Sequence, residues 1–293
     1  MNLKAYLAIR QKLIDRALDR YLPKANRKPA TLHRAMRYSL FAGGKRLRPI
    51  LCLAAAEACR GKSDDALPLA CAIECIHTYS LVHDDLPSMD DDDFRRGRPT
   101  CHRVFGEGIA VLAGDALLTI AFEIVSRARP RPRYDMSTFL REVAVAAGSR
   151  KLIAGQVADL EAEGKKVKRR ELQFIHENKT AAILQSSVRL GAMSANADAR
   201  KLAAITQFGQ RLGLAFQVID DILDVTQTSE RLGKSAGKDE AAKKATYPAV
   251  MGLQESRVEA RRLTRDAHKA LSIFSNRAET LHALGNYLLE REY

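Results

Sequence analysis

The chain has no tryptophan among its 293 residues, and only 6% of them are aromatic. A cavity walled by large rings is therefore not what this sequence builds. Glycine and proline are scarce too, 17 and 9 residues, and long Ala-, Leu-, Lys-, Glu- and Arg-rich stretches dominate over alternating β-branched ones, which favours helices over strands. The five cysteines, Cys52, Cys59, Cys71, Cys75 and Cys101, form no CxxC pair and meet no histidine pair at zinc spacing. They read as buried thiols of a reducing compartment. No uninterrupted apolar run approaches the ~20 residues that span a bilayer, and charges break up the N-terminal stretch where a signal peptide would be apolar. A soluble, cytoplasmic protein without membrane insertion is the expectation. Acidic residues are outnumbered 35 to 48 by basic ones, a net charge of +13, which implies attraction to nucleic acid, an acidic membrane or phosphorylated small molecules. Charge alone does not choose among these. The Arg-rich stretch 127–133 and the Lys-rich stretch 165–170 read as solvated loops.

Apolar residues recur at helical spacing almost throughout: Leu3, Leu7, Ile14 and Leu18; Leu67, Ala70, Ile73 and Ile76; Leu212, Ala215, Phe216 and Ile219. Breaks fall at Gly43-Gly44, 61–65, Pro87, 97–99, 130–132, Gly164 and 233–237. Nothing between them resembles a linker. The expected architecture is all-α: one domain over 1–293, roughly ten helices joined by short loops.

Two acidic clusters carry the chemistry. The first, DDLPSMDDDD, holds Asp84, Asp85 and Asp90 through Asp93 directly after an apolar run. Carboxylates crowded at a helix C-terminus repel one another and oppose the macrodipole, so the arrangement is unfavourable unless cations bind. Pro87 should end the helix and could curl Asp90 back towards Asp84. The second, QVIDDILD, lies inside an apolar helix, with Gln217, Asp220, Asp221 and Asp224 at i, i+3, i+4 and i+7 on one face. Ionised groups on such a stripe need cations or basic side chains. Oxygen donors without cysteine select Mg2+, with Mn2+ as the alternative, and Mg2+ typically keeps waters and substrate phosphates among its ligands. The plainer readings are a solvated acidic loop and a structural ion network. Two such clusters in one bundle favour metal and diphosphate.

Basic motifs supply the rest. FAGGKRLRP places Lys45, Arg46 and Arg48 after two glycines, Arg95 and Arg96 follow the first cluster, HENKT carries Lys179 and Thr180, and Lys234 and Lys244 bracket the segment after the second cluster. His77 lies seven residues before Asp84, on the same helix face.

With these motifs in order, from FAGGKRLRP through HTYSLVHDDLPSMDDDDFRRGRPTCH, LAGDALL, AGQVADLEAEGK, HENKTAAIL, GLAFQVIDDILDV and LGK to KKATYPA, the chain resembles the trans-isoprenyl diphosphate synthases, and within them the bacterial farnesyl diphosphate synthases. The resemblance implies about ten core helices around a central cavity, usually in a homodimer. It implies that Asp84 and Asp90 hold two Mg2+ ions and Asp220 a third, supported by Asp85, Asp221 and Asp224. Arg95, Lys179 and Lys234 would bind the allylic diphosphate, and Lys45, Arg48, His77 and Arg96 that of isopentenyl diphosphate. Thr180, Gln217 and Lys244 would line the reacting allylic group. Ala154, where a second glycine is usual, and Ile219, where a polar residue is frequent, depart from the pattern without removing a metal ligand.

The rivals are a terpene cyclase, which has no use for a second diphosphate site, a non-catalytic subunit, and a nucleic-acid binder, whose partner both acidic clusters would repel. Geranyl and geranylgeranyl diphosphate remain alternative products of the same reaction. Ser80 and Tyr79, four and five positions before Asp84, lie where a growing chain would descend, and a large ring beneath a small side chain suggests a stop at fifteen carbons.

Overall fold

The computed structural model describes residues 2–226 and 244–289. Its helices follow the breaks read above: α1 Leu3–Tyr21, α2 Ala30–Leu40, α3 Leu47–Ala58, α4 Ser63–Asp84, α5 Cys101–Phe105, α6 Glu107–Val125, α7 Met136–Ala147, α8 Leu152–Ala162 and α9 Arg169–His176. After a π-helical turn, Glu177–Ala181, come α10 Ala182–Ser194, α11 Ala199–Thr226, α12 Tyr247–Met251 and α13 Leu253–Ala270, then a 3-10 stretch and α14 Glu279–Leu289. The architecture is all-α apart from one short hairpin.

Burial explains which helices form the middle. α3, α4 and α10 are apolar nearly all round, and α3 and α4 place Ile50, Leu51, Leu53, Leu69, Ile73 and Ile76 at full burial, as a helix enclosed by other helices requires. α13 instead buries only Ser256, Ala260, Leu263 and Ala267, one stripe against α11. Gly191 lets α10 lie directly on α3: a Cβ there would reach the Cys52 carbonyl carbon at 2.9 Å.

Three details depart from the sequence expectations. A two-stranded hairpin interrupts the helices, β1 Phe94–Arg95 against β2 Arg98–Pro99. Its two turn residues, Arg96 (φ 53°) and Gly97 (φ 73°), are both left-handed, the signature of a type I′ turn. The 127–133 stretch is no merely solvated loop, because Arg131 donates to the Ser194 carbonyl at 2.7 Å and pairs with Asp65, tying the ends of α10 and α4 together. Among the described residues, α6 is long and apolar enough to cross a membrane, with a mean hydropathy of 1.9 over an 18-residue window. It is nonetheless a helix of the bundle: Asp115 interrupts it, and its buried face packs on α4 and α2.

Candidate active site

The first acidic cluster is shaped by its own backbone. α4 ends at Asp84, after which the Asp90 N–H donates to the Asp84 carbonyl (2.8 Å), the Asp91 N–H to Leu86 (3.1 Å) and the Asp92 N–H to Asp85 (3.2 Å). These bonds satisfy the last carbonyls of the helix and fold Asp90 back beside Asp84. Asp85 is buried and receives Arg95 Nε on both oxygens, at 2.7 and 2.9 Å. Asp90 Oδ1 accepts from Lys244 Nζ at 3.0 Å. Burial pushes Asp90 up, but Lys244, Lys179 and Arg95 more than offset it and hold the carboxyl below its ordinary range. Asp84 is pushed up to about 6, chiefly by burial and then by Asp90 and Asp85, against the pull of Lys179 and Arg95. A carboxyl held up in this way is poised to gain from a cation.

The second cluster is held by contacts from other elements rather than by a turn of its own. Thr180 Oγ1 donates to Gln217 Oε1 (2.9 Å), Gln217 Nε2 donates to Asp221 Oδ1 (3.0 Å), and the Tyr247 N–H donates to Asp221 Oδ2 (2.9 Å). Asp221 is thereby committed to the protein. Asp224 is buried, and among the described residues its Oδ1 has no hydrogen-bond partner, while Asp220 is partly exposed on the same stripe. The charge of Asp220 reaches Arg48, which links this stripe to the basic pocket. Lys179 sits in the π-helical turn, a local widening frequent at functional sites, and pairs with Asp159 at 2.6 Å. Gly155 makes that placement possible, because a Cβ there would meet the Lys179 Cα at 2.6 Å.

Lys45, Arg48, His77 and Arg96 line one cavity of about 480 Å3, together with Gly43, Gly44 and Glu74. Arg48 Nη1 lies 3.2 Å from His77 Nε2. Guanidinium is only a donor, so this contact assigns His77 the neutral tautomer with an accepting Nε2. The pKa agrees: burial first, then Arg48, Arg96 and Arg95, hold His77 well below the usual histidine range. Arg48 Nε is buried with no partner, a donor an entering anion would satisfy. Arg46 behaves differently from its neighbours. It is buried and spent on Glu74 (2.8 Å), Asp15 (2.9 Å) and the Leu40 carbonyl (2.7 Å), so it fixes the loop instead of facing a ligand.

Asp159 and His176 are site residues that went unassigned in the sequence, although both lie inside motifs quoted above. His176 lines the pocket of Lys179, Thr180, Gln217, Asp221 and Lys244, tilts over Tyr247 with centroids 5.2 Å apart, and is lowered to about 3 by burial. Its spacing from Lys179, i to i+3, was the available signal. Tyr79 is buried, with its hydroxyl 3.4 Å from the Ala147 carbonyl and its ring edge-on to His83. Ser80 is partly buried and turned onto the His77 carbonyl at 3.0 Å. Lys234 lies outside the described residues.

Among the described residues, no three His, Cys, Asp or Glu side chains converge closely enough to hold a metal by protein atoms alone. Mg2+ takes one or two carboxylates and completes its shell with water and phosphate. Asp84, Asp90, Asp220 and the unpartnered Asp224 Oδ1 are donors of the right kind.

Acidic faces at the end of α4 and along α11, flanked by a basic pocket inside an all-α bundle, make a site suited to a metal-bound diphosphate. Residues 29–282 match the sequence profile of the polyprenyl synthetase family. The chain is 48% identical to the large subunit 1 of the heterodimeric geranylgeranyl pyrophosphate synthase of Arabidopsis thaliana, across 98% of this chain and 79% of that protein. It is 44% identical to a geranylgeranyl diphosphate synthase of Cyanophora paradoxa, across 99% and 97%. Its structure is similar to geranylgeranyl pyrophosphate synthetase from Pyrococcus horikoshii (TM-score 0.91, 32% identity, 99% and 98% covered). It is also similar to the geranyltransferase of Helicobacter pylori solved with magnesium and isoprenyl diphosphate (TM-score 0.87, 32% identity, 99% and 98% covered). The chain belongs to the polyprenyl synthetase family, the trans-isoprenyl diphosphate synthases, and is a prenyltransferase.

Proposed function

We propose that the chain condenses isopentenyl diphosphate head to tail with allylic diphosphates, in a magnesium-dependent reaction whose main product is geranylgeranyl diphosphate. The carrying observation is the separation of two anion-binding regions: Arg95 and Lys179 around Asp84, and Lys45, Arg48, His77 and Arg96 in a pocket of their own. Two diphosphates need two cradles. The allylic diphosphate lies against the first, where Arg95, Lys179 and Lys244 favour its departure by meeting the charge that develops on it. Asp84, Asp90 and Asp220 would hold magnesium there, which when bound would add to the neutralisation of that leaving charge. The basic pocket aims the isopentenyl double bond at the cation that remains. Thr180 and Gln217 line the reacting carbons, and the proton is lost to the departed diphosphate.

Twenty carbons is supported by the relatives named geranylgeranyl synthases at 44–48% identity. This replaces the fifteen-carbon expectation drawn from Tyr79 and Ser80. The anchored Tyr79 ring still favours farnesyl diphosphate as the second reading. Incubating the purified protein with Mg2+ and the two five-carbon diphosphates, then separating the dephosphorylated alcohols, decides between them. Geranylgeraniol as the main alcohol supports the proposal, and farnesol alone overturns it. If Tyr79 limits length, Tyr79→Ala lengthens the product and Ser80→Phe shortens it.

We propose that the chain assembles as a homodimer. Exposed Val111 and Leu112 on α6, with Ile153 and Val157 on α8, leave apolar surface a second copy would cover; light scattering at the mass of one chain would exclude it. The five buried, unpaired cysteines are consistent with a cytoplasmic setting.

A further inference from the structure

The loop carrying Lys45 runs through left-handed backbone, which costs glycine nothing but does cost arginine. Gly43 (φ 94°), Gly44 (φ 112°) and Arg46 (φ 51°) are all left-handed. Lys45 itself is exposed, and an unrestrained lysine loses much rotamer freedom when it grips an anion. Contacts from the two ends of the chain limit that freedom. From α1, Gln11 Nε2 donates to the Gly44 carbonyl at 3.0 Å. From α14, the Tyr287 ring lies under the Lys45 ammonium, with Nζ 5.1 Å from the centroid. Arg96, from the hairpin turn, donates to the Gly43 carbonyl. The loop is therefore pinned on successive residues by three separate elements.

We infer that Tyr287 and Gln11 are positioning residues of the isopentenyl diphosphate site, holding the Lys45 ammonium and the Gly44 backbone ready for the anion. Neither side chain needs to touch the ligand. The inference rests on the assignment of Lys45 to that diphosphate. The aromatic face is what acts on the ammonium, so phenylalanine should replace tyrosine and an aliphatic side chain should not. Gln11 acts through a single side-chain donor, which alanine removes.

Steady-state kinetics of Tyr287→Leu, Tyr287→Phe, Gln11→Ala and Lys45→Ala, with each substrate varied in turn, test the inference. Tyr287→Leu should raise KM for isopentenyl diphosphate about fivefold, the scale of an exposed cation–π contact, with kcat and the allylic KM within about twofold of the parent. Tyr287→Phe should restore the parent value, and Gln11→Ala should move the same KM in the same direction. Lys45→Ala should raise it by more than about tenfold. If Lys45→Ala raises that KM and Tyr287→Leu does not, the inference falls while the site assignment stands. If Lys45→Ala leaves it unchanged, both fall. A rise in both KM values for Tyr287→Leu, accompanied by a lower melting temperature, would reduce Tyr287 to a packing residue and overturn the inference.

Discussion

The two acidic clusters reach the same chemistry by opposite construction. At the end of α4 the carboxylates are placed by backbone hydrogen bonds of a chain leaving its helix, and they rest on cations borrowed from elsewhere, Arg95 on Asp85 and Lys244 on Asp90. Along α11 they are placed by helix periodicity, and the Thr180 hydroxyl of the π-helical turn, acting through Gln217, and the backbone N–H of Tyr247 at the start of α12 hold them. The first region can rearrange when its borrowed cations are displaced. The second is stiff, because Asp221 uses both oxygens on the protein. Lys244 at Asp90 and Tyr247 at Asp221 lie three residues apart, so one short segment touches both clusters.

The largest effect expected from breaking this arrangement is chemical. Asp84→Asn and Asp220→Asn should each lower kcat by about a thousandfold with little change in melting temperature, because the proposed function makes each carboxylate a magnesium ligand. Steady-state rates beside circular-dichroism melts check this, and near-normal turnover in both would remove the metal assignment. Next is Gly155→Ala, which drives a Cβ into the Lys179 backbone. Backbone cannot yield as a side-chain tip can, so a stability loss of about 2 kcal/mol should accompany a clear loss of activity, measured by urea unfolding and assay of the same sample.

The smallest effect is in pH dependence. His176 has a folded pKa near 3, below its unfolded value, so the unfolded chain binds a proton first as the pH falls. Its contribution to stability is complete above the ordinary histidine pKa, about 6.5, and is lost progressively below it, by about 2 kcal/mol at most at pH 5. Asp84, with its folded pKa raised, acts in the opposite sense over the same interval, which is why the comparison must be with a variant. His176→Phe should therefore lose less melting temperature than the parent between pH 7.5 and 5. Equal losses would mean that His176 does not stay neutral.

Much of this was legible in the sequence because it is local. The stripe of Gln217, Asp220, Asp221 and Asp224 follows from 3.6-residue periodicity, and the return of Asp90 to Asp84 follows from Pro87. What escaped notice joins residues far apart in the chain. Nothing in FAGGKRLRP separates Arg46, consumed by Asp15 and Glu74, from Arg48, left with an open donor. The left-handed Arg96 that closes the hairpin is equally silent, since its turn partner Gly97 alone advertises the bend. Asp159 needed Lys179, twenty positions later, to acquire a role. Product length was read from two residues of α4 alone, Tyr79 and Ser80.

The central claim is that both clusters serve one allylic diphosphate. Calorimetric binding of an unreactive allylic diphosphate analogue in Mg2+ to the parent, Asp84→Asn, Asp220→Asn and the double variant tests it most directly. Residues acting as a unit are non-additive, so the double variant should bind no more weakly than the weaker single. Losses that simply add in free energy would contradict the account, since each cluster would then be acting alone.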